Sequence, residues 1–400
     1  MHKHPSALGV ATTLKPAAPV TLIRPEAAAR AARFFAEKFP GRSLYAVKAN
    51  PSPDLIRTLF ASGITHFDVA SIAEVRLVAE ALAGQDGAKL CFMHPVKAEE
   101  AIAEAYHVHG VRTFSLDTID ELEKIMRATG DATDLELCVR LRVSSEHSEL
   151  SLASKFGAEL GETRELLMAT RQAADALGIC FHVGSQAMKP TAWWTAMADV
   201  SRIIIAASVT VDIVDVGGGF PSIYADNPPP SLEDYAAMVE QAFENMFVLE
   251  NAELWCEPGR ALVAESESLL ARIELVKDDA IYINDGSYGA LYDAVHERWS
   301  FPMRALPSNG RTLGRLVEYT VYGPTCDSTD KFPAKVWLPA GLEEGDYLEF
   351  GNLGAYGRAM SSRFNGFGET LVARVHDAPW PSLYNAVGAE VISIGASGTR

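Results

Sequence analysis

A lysine closes the apolar run SLYAVKAN at 43–50, so Lys48 projects from a strand end into whatever lies beyond it. An amine held near other cations or in a dry pocket ionises less readily and suits Schiff-base chemistry. Taken alone, it reads as readily as a strand-end lysine snorkelling to water. Three consecutive glycines, Gly217, Gly218 and Gly219, follow VDIVDV in the stretch 211–222. Without side chains they let backbone N–H groups approach an anion, although a plain turn looks the same. The run lacks the G-x-G-x-x-G spacing of a dinucleotide site. In CEPGR at 256–260, Glu257 can pair with a protonated ring nitrogen, Gly259 bares backbone, and Arg260 offers a fork for phosphate. HVGSQ at 182–186 adds His182, an imidazole able to stack on a ring, and the hydroxyl of Ser185. Each has a structural reading by itself. Their combination points to chemistry.

Eight strand-like runs position these residues, at 43–50, 65–71, 89–95, 111–117, 135–143, 178–186, 211–220 and 252–260. Helical patterns such as IAEVRLVAEALA, DELEKIMRATG and TRELLMATRQAADALG lie between them, and EAAARAARFFAEKF at 26–39 precedes the first. This alternation predicts an α/β fold with a parallel sheet, closed by its eight units into a (β/α)8 TIM-like barrel. The loops after the strands then carry Lys48, Asp68, His182, the glycines and Glu257 to one rim. The glycines follow the seventh strand, where barrel enzymes commonly bind phosphate. Beyond residue 262 the texture becomes β-type, in LLARIELVK, AIYINDG, RLVEYTVYG, KVWLPA and DYLEFGNLGAY. The predicted domains are a barrel over 23–262 and a mostly β domain, a sandwich or barrel, made by 263–400 with 1–22. The first residues read as a mobile lead-in that becomes ordered near Val20.

With 400 residues, 48 % hydrophobic and 22 % charged, the chain can bury an ample core in two domains. It has no apolar run of about 18 residues and no secretory-type apolar core, so neither a membrane span nor a secretory signal is expected. A net charge of −17 disfavours nucleic acid and anionic membranes and suits a cationic ligand. Cys91, Cys138, Cys180, Cys256 and Cys326 show no C-x-x-C spacing. Reduced thiols in a cytoplasm, with no metal site, are the expectation.

YAVKAN, HVGSQ, GGGFP, EPGR and GPTCDSTDKF, in that order, resemble the fold type III pyridoxal-phosphate decarboxylases, which act on ornithine, lysine, diaminopimelate or arginine. The resemblance spans nearly the whole chain and is strongest to the ornithine enzymes. It implies an alanine-racemase-like fold, pyridoxal 5'-phosphate as cofactor, and a homodimer with shared sites. The implied activity is decarboxylation of a basic L-amino acid, ornithine to putrescine or else lysine to cadaverine, in polyamine biosynthesis. By the same resemblance Lys48 carries the cofactor, His182 stacks on its ring, and Glu257 holds the ring nitrogen. Ser185, the glycines 217–219, Gly259, Arg260 and Tyr356 bind the phosphate. Asp68, Glu74 and Arg142 support the lysine and the ring hydroxyl. Cys326 returns a proton after carbon dioxide leaves, and with Asp327 reaches into the partner's site.

Asp327 precedes Ser328-Thr329-Asp330 where diaminopimelate enzymes have C-E-S-G-D, which favours a distal amine over a distal carboxylate. A second carboxylate for that amine is Glu297 if residues are counted without gaps from Asp285-Gly286 to Phe301. It is Asp293 if a gap is allowed. The ungapped count matches both flanking anchors, and Glu297 then shortens the pocket in favour of ornithine. Glu257 speaks against a racemase, which usually pairs an arginine with the ring nitrogen. The presence of both Lys48 and Cys326 speaks against a non-catalytic regulator.

Overall fold

The computed structural model describes residues 3–384, apart from 145–147, 151–154, 160, 225–226 and 249–250. Eight parallel strands close into a barrel. They are β1 (Arg42–Ala46), β2 (His66–Val69), β3 (Lys89–Phe92) and β4 (Thr113–Leu116), then β5 (Glu136–Arg140), β6 (Ala176–Cys180), β7 (Ile213–Asp215) and β8 (Glu253–Cys256). Pairing of Trp255 with Arg42 joins β8 to β1 and completes the ring. Period-two alternation decides what fills it. Leu44, Cys91, Cys138, Cys180, Ile213 and Trp255 turn inward as a dry plug. Their neighbours Tyr45, Phe67, Phe92, Leu137 and Val214 pack outward beneath the helices. Two residues further along, the same inward row reaches the rim as Arg140, Asp215 and Glu257.

The helix Pro25–Glu37 starts on a proline and buries Ala27, Ala28, Ala31, Ala32 and Phe35 on one face. Phe35, 1 % exposed, stabilises that face by on the order of 2–3 kcal/mol through removal from water. Thr118 caps Ile119–Thr129 by accepting the Glu121 N–H, and Gly130 ends it at φ +71°. The helix Thr163–Ala173 stops earlier than its pattern suggests. Asp175 and Ala176 instead donate to the Leu135 carbonyl, and Asp212 takes the Leu177 N–H, so β6 begins before residue 178. Ser185–Ala187 is not its continuation. It forms a separate antiparallel ribbon with Ser148–Leu150.

The second domain is a nine-stranded sheet whose hub is β9 (Glu267–Lys277). This strand pairs with Val20–Ile23, Ala280–Ile283 and Tyr347–Phe350. The lead-in is packed and not mobile over its described part, which is a correction. Lys3–His4 pairs in parallel with Leu371–Val375, and Ala7, Val10 and Ala11 are fully buried in a cluster with Leu22, Leu270 and Val375. Their small apolar side chains complete a core that only the folded sheet creates. Among the described residues, no helix is long and apolar enough to cross a membrane.

Candidate active site

Lys48 lies in a single helical turn, Val47–Ala49, directly after β1. That turn is pinned to the second domain: Tyr356 donates its N–H to the Ala49 carbonyl at 2.8 Å, and Asn50 Nδ2 donates to Gly354 O at 2.8 Å. The Lys48 Nζ stands 3.4 Å from Asp68 Oδ2. Asp68, 3 % exposed at the end of β2, outweighs desolvation and holds the amine above its ordinary pKa. The lysine side chain keeps 45 % of its surface accessible, because it enters the open barrel mouth and not packed core. Glu74 accepts the Ala70 N–H at 2.7 Å, in the turn where Ser71 caps the helix Ile72–Ala81. Burial raises its carboxyl pKa, and the charge of Asp68 adds to the rise.

Asp215, the last residue of β7, and Glu257, just beyond β8, form a buried carboxyl pair, and Asp215 Oδ1 accepts the Gly217 N–H at 2.9 Å. Burial lifts both above the usual carboxylate range, and for Glu257 the charge of Asp215 is the next cause. Two carboxyls buried side by side favour a state in which the pair retains a proton. His182 Nδ1 accepts the Gly184 N–H at 3.0 Å, which assigns its proton to Nε2. Burial, then the cations Arg140 and Lys48, hold that imidazole neutral.

Arg140 is the interior arginine. It ends β5 on the inward face, raises the positive potential at Lys48, His182 and Glu257, and lies 5.7 Å over the Phe156 ring. Arg142, chosen from the sequence, turns outward and pairs with Glu159 at 2.8 Å. Both have inward parity by count, but the strand ends at Arg140 and the chain then changes direction. Arg140 opens the RLRV that holds Arg142 and Asp215 lies in the VDIVDV before the glycines, but neither segment by itself marks them as chemistry. The signal that finds them is alternation, since Cys138 and Ile213 two residues earlier belong to the interior plug.

The glycine run is packed tightly. Gly217 and Gly219 sit at φ +68° and +104°. A Cβ on Gly217 would lie 2.0 Å from Phe181 O, one on Gly218 2.7 Å from Glu257 O, and one on Gly219 2.4 Å from Gly184 O. Gly259 likewise approaches Ala49, where a Cβ would come within 3.2 Å of the alanine Cβ. Ser185 stands beside this cradle in the ribbon, and Ala187 donates its N–H to Gly219 O at 2.9 Å. Arg260 is bonded to Tyr224 and Asp293, yet its Nε is buried without a partner. An amine, a neutral imidazole, a proton-holding carboxyl pair and an arginine with an uncommitted donor fit an aromatic aldehyde bearing a phosphate. The residues present fit pyridoxal phosphate.

Cys326 and Asp327, expected to serve a partner's site, are held on the second domain of their own chain. Cys326 is exposed, with its Sγ 3.2 Å from Asn365 Oδ1. Asp327 accepts from Tyr288 Oη at 2.5 Å and from the Thr329 N–H at 2.9 Å, contacts within the second domain. Tyr288 holds the Asp327 carboxyl below its ordinary range. Of the two alternatives for the second carboxylate, Asp293 is the one that contacts Arg260. It is 8 % exposed and 3.3 Å from Arg260 Nη2.

A (β/α)8 barrel with a lysine and a phosphate-ready arginine at its rim, closed by a β domain that pins the lysine turn, defines a pyridoxal-phosphate enzyme of the alanine-racemase fold. Residues 26–264 match the family model described as pyridoxal-dependent decarboxylase, pyridoxal binding domain. The lysine/ornithine decarboxylase of Selenomonas ruminantium is 30 % identical over 331 residues, 81 % of this chain and 80 % of that protein. Antizyme inhibitor 2 of Xenopus laevis is 32 % identical over 356 residues, 83 % of this chain and 75 % of that protein. The crystal structure of lysine/ornithine decarboxylase from Vibrio vulnificus complexed with cadaverine aligns with a TM-score of 0.78 at 27 % identity, covering 94 % of this chain and all of that one. The chain belongs to the pyridoxal-dependent decarboxylases.

Proposed function

We propose that the chain removes the carboxylate of a basic L-amino acid, ornithine foremost and lysine next, as a cytoplasmic homodimer that draws each site from both subunits. The observation that carries this reading is Lys48 Nζ held 3.4 Å from Asp68 on the rim that also bears the Asp215–Glu257 pair and Arg260. The names of the Selenomonas and Vibrio proteins support the substrate class. Bound pyridoxal phosphate supplies the sink for the electron pair left when carbon dioxide departs. Lys48 Nζ carries the cofactor, and Asp68 keeps that nitrogen supplied with a proton. Glu257, with Asp215, holds a proton where the ring nitrogen lies. The glycine cradle, Ser185, Tyr356 and Arg260 orient the phosphate, and neutral His182 flanks the ring without competing for it. Asp293 meets the distal ammonium from within the chain, and Asp327 of the partner subunit meets it from across the interface. Cys326 of the partner subunit hands a proton from its Sγ to the carbon that lost the carboxylate. The exposure of Cys326 on the second domain favours that division of labour.

With Asp293 in place of Glu297, nothing shortens the pocket, so lysine is expected within on the order of tenfold of ornithine. The test is carbon dioxide release from ornithine, lysine, arginine, diaminobutyrate and diaminopimelate by purified protein with added cofactor. Ornithine and lysine should react, and diaminopimelate at least about a hundredfold more slowly in kcat/KM, since its second carboxylate faces two others. A preference for diaminopimelate, or release from none of the five, contradicts the proposal.

A further inference from the structure

Arg260 is gripped on four sides by residues of its own chain. Its Nη1 donates to Tyr224 Oη at 2.6 Å and its Nη2 to Asp293 Oδ2 at 3.3 Å. Its Cζ stands 4.2 Å from the Trp299 ring centroid and 4.6 Å from that of Tyr356. Trp299 is itself braced by Tyr224, with centroids 5.2 Å apart and planes tilted by 30°. One tight turn delivers the indole and the carboxylate together. The Asp293 carbonyl accepts N–H bonds from both Glu297, at 3.2 Å, and Trp299, at 3.3 Å, and Arg298 reverses the chain at φ +59°. With Nη1 and Nη2 engaged and the guanidinium face against rings, the buried Nε has a fixed direction.

We propose that Trp299 is a positioning residue whose ring, braced by Tyr224, holds Arg260 aimed at the cofactor phosphate. This rests on the pyridoxal-phosphate reading of the site. A tryptophan that only filled space would be replaceable by any apolar side chain of similar bulk. A ring that orients a cation would not, because the attraction comes from its π face.

The test titrates the full-length apoprotein with pyridoxal phosphate and, separately, with pyridoxal, which lacks the phosphate. Wild type, Trp299→Leu and Trp299→Phe are compared, with thermal melting as a folding control. Trp299→Leu should weaken pyridoxal phosphate by roughly five- to thirtyfold, the change that corresponds to losing a cation–π contact of about 1–2 kcal/mol. Its affinity for pyridoxal should stay within about twofold. Trp299→Phe, with a smaller π face, should weaken pyridoxal phosphate by about two- to threefold and leave pyridoxal unmoved. Equal weakening of both ligands, or leucine matching phenylalanine, overturns the proposal. If the leucine variant does not fold, the phenylalanine variant decides, and an unchanged preference for the phosphate overturns it. A wild type that binds the two ligands equally would contradict the phosphate site itself, a separate failure visible before any variant is made.

Discussion

Asp293 and Glu297 lie one helical turn apart, and only the first is turned onto Arg260. Burial raises the Asp293 carboxyl pKa, and the charge of Arg260 offsets part of that rise. Asp293→Asn should lower kcat/KM for ornithine by about 10- to 100-fold, the range for losing a hydrogen bond to a charged group. Glu297→Gln should change it by less than about threefold. The opposite ranking in steady-state kinetics would return the distal-amine role to Glu297. Lys48, His182, Glu257 and Arg260 were legible as chemistry because each stands in a short motif at the end of a strand. Asp293 stood only as the gapped alternative to Glu297, because a count along the chain cannot decide whether a gap is present. Arg140 opens the RLRV segment that also holds Arg142, and Trp299 stands in no motif; the roles of both come from neighbours distant in sequence.

The loop that presents the residues expected to cross to a partner is braced by a second loop. Asp330, 2 % exposed, accepts from Ser287 N and Oγ and from Thr325 N and Oγ1, stapling the loop at 285–288 to the loop at 323–330. Asp285 lies under the same junction, and burial pushes its carboxyl up to about 7. A carboxyl whose folded-state pKa is raised contributes stability that is present below its ordinary value near 4 and is lost as pH rises through about 7. Wild type should therefore lose on the order of 1–3 kcal/mol more than Asp285→Asn between pH 4.5 and pH 8. Urea unfolding at the two pH values measures this, and parallel curves would show that Asp285 does not titrate in the folded state. The Asp285-Gly286 turn was visible as a turn. Its buried, high-pKa character was not, because burial there depends on a loop some forty residues downstream.

At the scale of the whole chain, the eight barrel strands were readable because each unit repeats one local signal, a buried strand followed by an amphipathic helix. The second sheet's order was not readable, since pairings such as Lys3–His4 with Leu371–Val375 leave no periodic trace. The lead-in looked mobile for the same reason. The barrel rim brings Lys48 together with its carboxyls and arginines, while Cys326 remains exposed on the β domain. A second copy of the chain resolves that separation if each site takes Lys48 from one subunit and Cys326 from the other. Lys48→Ala should abolish turnover, and borohydride should fix the cofactor to the Lys48 peptide in wild type alone. The decisive measurement is carbon dioxide release from ornithine by wild type, by Lys48→Ala, by Cys326→Ala, and by an equimolar mixture of the two variants after proven subunit exchange. Each variant alone should be poor, and the mixture should recover about a quarter of the wild-type rate, because random pairing leaves one intact site in half of the dimers. A mixture no more active than its components would contradict the shared site, and a wild type that releases no carbon dioxide would contradict the decarboxylase itself.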